Sequence, residues 1–298
     1  MHRPLTTLLC FLLPLTTVSA SSSVWKVSRG DSILYLGGTC HLLRPQDFPL
    51  PVEFDTAYTA SSKIIFETDM ARITSPDMQQ VVASKGMYSD GTTLEKVVTP
   101  ATWKALVAYC EKAGLPVAHA GRMKAWLFTV MVSAIELQKL GMAAEGVDMH
   151  YFKKALAEGK KVGELEPFES QIEFITQMGV GYESELIAKT LEDLHEIPEI
   201  MGKVLTAWKT GDIAVIDRLM LEEVRTDNPE IFKTMVVSRN HAWLPAIEAM
   251  LGNPEVEFVL AGVGHIPGAD GLLSLLSARG YTIEQIGAAT PAHAGAHK

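Results

Sequence analysis

The sequence predicts an α/β protein whose central, mostly parallel sheet is formed by the N- and C-terminal halves of the chain, with a large helical block between them. Two apolar runs, residues 33–36 and 258–261, lie near opposite ends of the chain, and each leads into Gly-x-x-His. A third strand is predicted in residues 62–69, whose apolar run ends at Phe66. Short apolar runs of this kind are typical of strands buried on both faces of a parallel sheet. The middle of the chain has helical spacing instead, so the strands are expected to come from its two ends.

Each Gly-x-x-His motif places a histidine just beyond a predicted strand. His41 follows the first run and His265 the second, while Glu67 takes the corresponding position after residues 62–66. Glycine lets the chain leave a strand sharply, and ligands of open α/β sheets bind beyond the carboxyl ends of the strands. A single strand-end histidine is more often structural, but two in the same context favour a shared site. We therefore expect His41, Glu67 and His265 to meet.

The remaining elements follow from apolar spacing and from glycine and proline signals. A helix at residues 52–61 joins the first two strands, and this βαβ-like opening favours a parallel pair. A short strand is predicted at residues 161–166, and the last strand is expected at residues 281–286. Further helices are predicted at residues 100–113, 123–140, 147–158, 167–195, 199–210, 212–224 and 229–250.

The two ends of the chain are not expected to belong to the folded domain. Residues 1–20 combine a basic start, an apolar stretch and a small-residue cleavage signal, which is typical of a secretory signal peptide. Residues 21–286 are predicted to form a single domain. Residues 287–298 are small and polar, and we expect a disordered tail. The protein is thus predicted to be exported, either to the periplasm or as a secreted protein.

Composition excludes several function classes. The formal net charge is −9 and no basic patch with interleaved aromatic residues occurs, so a nucleic-acid partner is not expected. No segment after the leader is long and apolar enough to predict a transmembrane helix. Cys40 and Cys110 remain after cleavage at Ala20, and two cysteines alone do not indicate a disulfide framework. Cys110 has the spacing of a core residue on a helix, so we expect free thiols.

Two histidines and a carboxylate suit a metal site with open coordination positions. Hydrolytic zinc sites and non-haem iron sites use such sets. A divalent ion here, with Zn, Mn and Co as the candidates, would lower the pKa of bound water. Glu67 could be a ligand beside His41 and His265, or it could remain off the ion as the general base. The sequence leaves both roles open.

The pair Arg239-Asn240 supplies candidate catalytic donors. A guanidinium and an amide near a metal would suit a developing oxyanion or a substrate carboxylate, although such a pair more often lies on a helix surface. His241 is a possible third imidazole, but adjacent helical residues point about 100° apart, so Asn240 and His241 are not expected to face the same site. Glu164 and Glu166 are predicted to share one face of a strand, either as paired carboxylates or as solvated charges.

Together these motifs resemble the TraB/PrgY/GumN family, which includes the Tiki-type proteases. The resemblance extends over nearly all of residues 24–286, in motifs that are listed here as they stand: Gly38-Thr39-Cys40-His41, Ile65-Phe66-Glu67-Thr68-Asp69, Gly91-Thr92-Thr93-Leu94, Lys124-Ala125-Trp126, Gly146-Val147-Asp148, Leu165-Glu166 with Gln171, Arg239-Asn240 and Gly262-Val263-Gly264-His265.

The resemblance implies a metal-dependent hydrolase, with peptidase activity as in the Tiki branch. It carries His41, Glu67 and His265 over as metal-site residues, with Arg239 and Asn240 as neighbours. One departure is Cys40, since the family more often has an aliphatic residue there. A thiol beside a ligand could add a soft ligand or a site of oxidation. The substrate does not transfer between such divergent family members.

Two other function classes compete with a hydrolase that acts on a peptide or another small substrate. A non-catalytic protein could bind haem or a metal ion in the same cleft, and a pseudoenzyme could serve as an interaction partner. A haem protein needs a histidine or tyrosine ligand in an apolar pocket and no general base. The sequence does not discriminate between metals or oligomeric states.

Overall fold

A computed structural model describes residues 21–142 and 145–287. It contains a six-stranded sheet whose strands are β1 (Ser21–Arg29), β2 (Ser32–Thr39), β3 (Lys63–Phe66), β4 (Lys161–Glu164), β5 (Glu257–Gly262) and β6 (Thr282–Gly287). Their order across the sheet is β4-β3-β5-β2-β1-β6. The four strands from β4 to β2 are parallel, whereas β1 pairs antiparallel with both β2 and β6 and is the one strand of this sheet that runs in the opposite direction. The predicted α/β class with a mostly parallel sheet is confirmed.

The sheet is accompanied by sixteen α-helical segments within the described residues. They are α1 (Val52–Ala60), α2 (Met70–Ile73), α3 (Asp77–Gly86), α4 (Leu94–Val97), α5 (Pro100–Ala113), α6 (Val117–Ala120), α7 (Ala125–Lys139), α8 (Val147–Glu158), α9 (Phe168–Gln177), α10 (Glu183–Asp193), α11 (Ile197–Thr210), α12 (Ile213–Met220), α13 (Glu222–Asp227), α14 (Pro229–Phe232), α15 (Ser238–Leu251) and α16 (Leu272–Ser277).

The predicted signal peptide and most of the predicted tail, residues 1–20 and 288–298, lie outside the described residues. Gly287, which we assigned to the tail, is instead the last residue of β6 and pairs with Ser21. Within residues 21–142 and 145–287, no helix is long and apolar enough to cross a membrane.

The strand from the C-terminal half lies between the two strands from the N-terminal half. β5 pairs with β2 on one side, where Thr39 is opposite Gly262, and with β3 on the other, where Ile65 is opposite Val259. β2 and β3 are therefore parallel but not adjacent, and the neighbouring pair expected from the βαβ-like opening is wrong. The consequence is that the carboxyl ends of β2, β5 and β3 meet at one place.

The first strand was not predicted, although its turn carries a sequence signal. β1 and β2 form a hairpin in which Arg29 pairs with Ser32 across the two-residue loop Gly30-Asp31. Gly30 has a φ of 60°, the left-handed conformation that a glycine in the first loop position provides. Val24 and Val27 of β1 are fully buried, so the strand is part of the core.

The central strands alternate their side chains between two apolar layers. Phe258 and Leu260 of β5 pack into a cluster that contains Phe54 of α1 and Tyr151 of α8. Val259 and Ala261 point the other way, into a cluster with residues of α15 and α16. Because each strand end is fixed by packing on both faces, the loops that follow β2, β3 and β5 begin from rigid positions.

The middle helices have a core of their own, built by α5, α7 and α10. Leu106 and Cys110 of α5 pack there with Phe128 of α7, as expected for Cys110. The single helix predicted for residues 167–195 is wrong. The chain forms α9 and α10 instead, because Gly179 and Gly181 adopt φ values of 88° and 87° that a continuing helix does not allow.

The helix predicted from Pro229 to about Met250 exists with an interruption. α14 passes into a π-helical turn, Lys233–Val237, and then into α15. π-turns are rare and occur frequently at functional sites. This one ends at Val237, two residues before Arg239, in the same continuous helical segment as Arg239 and Asn240.

Candidate functional site

The three residues predicted to meet surround a single glycine at the end of β5. His41 lies two residues beyond β2, Glu67 follows β3 directly, and His265 closes a 3₁₀ turn after β5. A methyl group on Gly262 would lie 3.0 Å from Glu67 Oε1, 3.5 Å from His41 Nε2 and 3.7 Å from His265 Cδ2. The structure thus brings His41, Glu67 and His265 together around the space that Gly262 leaves open.

His41 is oriented by a buried aspartate. Its Nδ1 lies 2.9 Å from Asp148 Oδ2, and the Thr39 hydroxyl donates a 3.0 Å hydrogen bond to the other oxygen of Asp148. The charge of Asp148 raises the pKa of His41 to about 9, and the hydrogen bond to the Asp148 carboxylate adds to this effect. The imidazole is 65% exposed, so solvent screens part of this attraction. With Nδ1 held by Asp148, Nε2 is the nitrogen that faces Gly262.

Asp148 reaches His41 because a glycine lets α8 begin against the first motif. The N–H of Val147 donates to the carbonyl of Cys40 at 3.0 Å. A Cβ on Gly146 would lie 2.2 Å from that carbonyl oxygen and 2.3 Å from the carbonyl carbon of His41. Only glycine therefore permits this approach, which places Asp148 in the first turn of α8 beside the histidine.

His265 is held at both ring nitrogens. Its Nδ1 lies 2.7 Å from Asn240 Oδ1, and Arg239 Nη1 lies 3.1 Å from its Nε2. The amide nitrogen of Asn240 donates to the carbonyls of His265 and Asp270, which identifies Oδ1 as the acceptor. Nδ1 therefore carries the proton. Burial, with some help from Arg239, lowers the pKa of His265 to about 4 despite the attraction of Glu67, so the ring is neutral near pH 7.

Glu67 is a buried carboxylate with donors on both oxygens. Gly262 N–H donates to Oε1 at 2.6 Å, while Arg239 Nη2 at 2.6 Å and Gln171 Nε2 at 3.3 Å donate to Oε2. Burial opposes ionisation, yet the nearby charges and the Gly262 N–H bring the pKa of Glu67 down to about 2. Since His265 is neutral near pH 7, the charges that keep Glu67 ionised are those of Arg239 and His41, and the Gly262 N–H adds to them.

Arg239 joins Glu67 to a second buried carboxylate. Its Nη2 lies 2.7 Å from Glu166 Oε1 and its Nε lies 3.1 Å from the same oxygen, while Trp243 Nε1 donates to Glu166 Oε2 at 2.9 Å. The Trp243 ring in turn lies 4.5 Å from the His265 ring. Burial lowers the pKa of Arg239, but both carboxylates outweigh it and raise the pKa overall. Arg239, Glu67 and Glu166 form a buried row of alternating charges.

A model of the TraB/PrgY/gumN family matches residues 23–285, nearly the whole chain. The chain belongs to this family. The resemblance stated from the motifs is therefore confirmed. No curated protein and no solved structure matched the chain.

Two of the motifs that carry the family resemblance contain positioning residues whose roles were not predicted. Asp148 and Glu166 are 6% and 7% exposed, and each binds a site residue that is distant in sequence. Glu164 is exposed, because β4 ends there and the chain turns before Glu166, so the two glutamates are not a pair. Asp148 and Glu166 could have been found from the sequence only by their places in family motifs, since local spacing marks neither of them.

His241 and Cys40 were the two other candidate ligands near the site. Asn240 is fully buried against His265, whereas His241 is exposed and points away, as the angle between adjacent helical residues requires. Cys40 is 8% exposed, and burial, reinforced by Asp148 and Asp47, raises the pKa of its thiol. The thiol is therefore neutral in the ion-free site.

The donor chemistry fits a divalent ion, with one contact to be displaced. Both histidines are anchored through Nδ1, by Asp148 and by Asn240, which is how metal-binding imidazoles are commonly oriented. The missing side chain at Gly262 leaves the space between them and Glu67 open. However, Arg239 Nη1 lies against His265 Nε2. In this arrangement no three His, Cys, Asp or Glu side chains within residues 21–142 and 145–287 are placed to hold a metal ion. Binding through His265 requires Arg239 Nη1 to withdraw.

Two clefts open from this site. The larger, about 480 Å³, has walls that are mainly apolar and rich in methionine, including Leu42, Met142, Phe174, Met201 and Met235. The smaller, about 300 Å³, contains Met70 and Met149. Both clefts include His41, Glu67 and Gln171, so the polar centre lies where they join. The site can thus accept a ligand with apolar groups on either side of a polar bond.

Proposed function

We propose that this TraB/PrgY/gumN family member is an exported metal-dependent hydrolase that acts as a peptidase. The observation that carries the proposal is the matched anchoring of His41 and His265, each through Nδ1, on either side of the ionised Glu67. A divalent ion held by His41, Glu67 and His265 would supply Lewis-acid activation of water near neutral pH.

Glu67 suits a ligand role better than a general-base role. Its carboxylate accepts hydrogen bonds from Gly262, Arg239 and Gln171, and each of these bonds stabilises the anion. An efficient general base at neutral pH needs a much more basic group. Arg239 has a different task in the proposal, because its guanidinium lies within the site and can stabilise negative charge that develops on the substrate.

The joined clefts support a peptide as the substrate. A peptide places an amide between two side chains, and here a polar centre lies between two mainly apolar clefts. Methionine side chains are flexible, so such walls can accept apolar side chains of different shapes. Digestion of a peptide library by the metal-loaded protein tests this part of the proposal, and cleavage next to apolar residues is expected.

The shared metal site predicts non-additive mutations. In His41→Ala and in His265→Ala, tight binding of Zn²⁺ or Mn²⁺ is expected to be lost, and the double variant should bind hardly worse than either single one, because all three lack the same centre. His241→Ala is the matched control, since His241 is exposed beside Asn240. Isothermal titration with the ion alone measures the effect. Full binding by both single variants contradicts a shared site.

The substitution Glu67→Gln distinguishes a ligand role of Glu67 from a general-base role. Glu67→Gln preserves size and removes charge, so a ligand role predicts loss of both metal and hydrolysis. A general-base role predicts that metal is retained while hydrolysis is lost. Metal content after gel filtration, measured beside peptide hydrolysis, distinguishes the two.

A second candidate is favoured by the apolar walls of the larger cleft. A haem group requires an apolar pocket with a histidine, and His41 lies at the edge of this cleft with Nε2 unanchored. A Soret band in the purified protein supports haem binding, whereas a colourless protein that binds Zn²⁺ supports the hydrolase.

Export is the remaining part of the proposal. It rests on the signal-peptide pattern of residues 1–20. Intact mass of native exported protein should give an N-terminus at Ser21, and retention of residues 1–20 in that fraction contradicts it.

A further inference from the structure

Glu166 has no place in the proposed set of ligands, yet it is the most heavily bonded carboxylate near the site. It accepts three contacts from Arg239, between 2.7 and 3.2 Å, and one from Trp243 at 2.9 Å. Its backbone N–H also donates to the carbonyl of Glu67 at 2.9 Å, just past the paired ends of β3 and β4. The residue is therefore fixed in place from both its backbone and its side chain.

The buried charges of the site match a divalent cation once both imidazoles are neutral. Three carboxylates, Glu67, Asp148 and Glu166, are each less than 9% exposed. One buried guanidinium, that of Arg239, lies among them at 5% exposure. When both imidazoles are neutral, as metal ligands must be, two negative charges remain. A divalent cation would neutralise them.

Glu166 determines which carboxylate compensates the positive charge of Arg239. Arg239 alone would cancel the charge of Glu67, since Nη2 lies 2.6 Å from Oε2, and it would present a cation to His265 Nε2 at 3.1 Å. With Glu166 on its other side, the guanidinium is already compensated. Glu166 bonds Nε and Nη2 but not Nη1, so the contact of Nη1 with His265 can be given up while the guanidinium stays paired with Glu166.

We propose that Glu166 is a positioning residue that neutralises Arg239 and so leaves Glu67 and His265 available to a divalent cation. This inference rests on the proposed metal-dependent function. Glu166 acts through Arg239 and does not itself touch the ion. Groups of this kind, one step removed from the ligands, typically change metal affinity by about 10–100-fold.

A charge-restoring pair of substitutions tests the inference. Glu166→Gln removes the charge and keeps the shape, so binding of Mn²⁺ or Zn²⁺ to the full mature chain should weaken by about 10–100-fold. Adding Arg239→Gln removes the uncompensated cation, so the double variant should recover to within a few-fold of wild type. Glu164→Gln, two residues earlier and exposed, is the matched control and should bind as wild type does.

The double variant separates charge compensation from a merely structural role. Loss of folding support would leave Glu166→Gln/Arg239→Gln as weak as Glu166→Gln, and this result overturns the inference, as does unchanged affinity in Glu166→Gln. Thermal unfolding of each variant identifies any that fails to fold. The double variant supplies the decisive comparison, because Glu67 is then the one charged side chain left in the row of Arg239, Glu67 and Glu166. A wild-type protein that binds neither ion contradicts the proposed function and this inference with it, whereas wild-type binding that Glu166→Gln does not alter contradicts this inference alone.

Discussion

Gly262 shows how a single missing side chain can create a site. Its backbone angles, φ −49° and ψ 135°, are open to any residue, so a conformational demand does not explain the glycine. The space does explain it, because a Cβ would approach Glu67, His41 and His265 at once. Gly262 also donates its N–H to Glu67, so it both holds the carboxylate and leaves room beside it.

Gly262→Ala should therefore lower metal affinity without unfolding the protein. The methyl group would lie 3.0 Å from Glu67 Oε1, which must give way by a few tenths of an ångström. Gly264→Ala is the control within the same motif, since its Cβ would meet only Leu221 Cδ2, at an ordinary 3.6 Å. Titration with Zn²⁺ and a melting curve for both variants measure the effect. Equal affinities would show that the space beside Gly262 is not where the ion binds.

At this scale the sequence predicts the residues at strand ends better than the residues that hold them. His41, Glu67 and His265 follow apolar runs, and that local pattern is enough to expect them at one place. Asp148 lies 107 positions from His41, and Glu166 lies 73 positions from Arg239. No local periodicity relates residues so far apart, because the sheet order creates these contacts.

Among the elements, α8 depends most directly on one glycine. Gly146→Ala would bring Cβ within 2.4 Å of backbone atoms of Cys40 and His41, and backbone atoms do not move aside as side chains do. We expect destabilisation by roughly 3 kcal/mol, the upper part of the common range for single substitutions. Asp148 would also separate from His41, so metal affinity should fall in the fraction that still folds.

Gly202→Ala is the matched control for this prediction. Gly202 lies exposed inside α11, and its Cβ would meet nothing within 4 Å. Alanine is favoured over glycine in a helix by about 1 kcal/mol, so this variant should be slightly more stable than wild type. Urea unfolding of both variants checks the signs. Destabilisation by Gly202→Ala as large as by Gly146→Ala would contradict the steric explanation.

Elements with strong end signals were predictable from the sequence, and elements without them were not. α5 begins after the cap Thr99 and ends at Gly114, which has a φ of 71°, as predicted from the pattern. The break between α9 and α10 was missed because single glycines inside an apolar pattern are also tolerated within helices. β1 was missed because its alternation is short, although the Gly30-Asp31 turn marks the hairpin.

At the scale of the whole molecule, the class of the sheet was predictable but its order was not. The runs at both ends indicated a sheet shared by the two halves of the chain. The insertion of β5 between β2 and β3 depends on pairing across about two hundred residues, and equivalent buried strands do not specify which neighbour each one takes. That insertion nevertheless makes the site, because it brings His265 between His41 and Glu67.

A buried ion group joins α11 to the segment that follows β2. Asp47, in the connection between β2 and α1, is 1% exposed. Its carboxylate accepts from Arg44 Nε at 2.8 Å and from Lys209 Nζ of α11 at 2.9 Å. Arg44 is the main cause that holds the pKa of Asp47 below its usual range, with Lys209 adding to it while burial opposes.

The sign of the resulting pH dependence follows from that direction. A carboxylate with a lowered pKa in the folded state stabilises the fold above its unfolded pKa of about 3.9, and the contribution is lost as pH falls below that value. Asp47→Asn should therefore cost about 3 kcal/mol at pH 7, the lower end for breaking a buried ion pair, because Arg44 and Lys209 remain partly exposed.

Below about pH 4 the difference in stability between Asp47→Asn and wild type should shrink. Asp47 of the unfolded wild-type chain then binds a proton, so its charge contributes less to the stability of the fold. Glu255→Gln provides the matched control, because its pair with Lys161 is exposed and should contribute less than about 1 kcal/mol. Urea unfolding of the three proteins at pH 7, 5 and 3 measures the three free energies of unfolding. If Asp47→Asn lowers the free energy of unfolding by the same amount at all three pH values, Asp47 stabilises the fold through its shape and not through its charge.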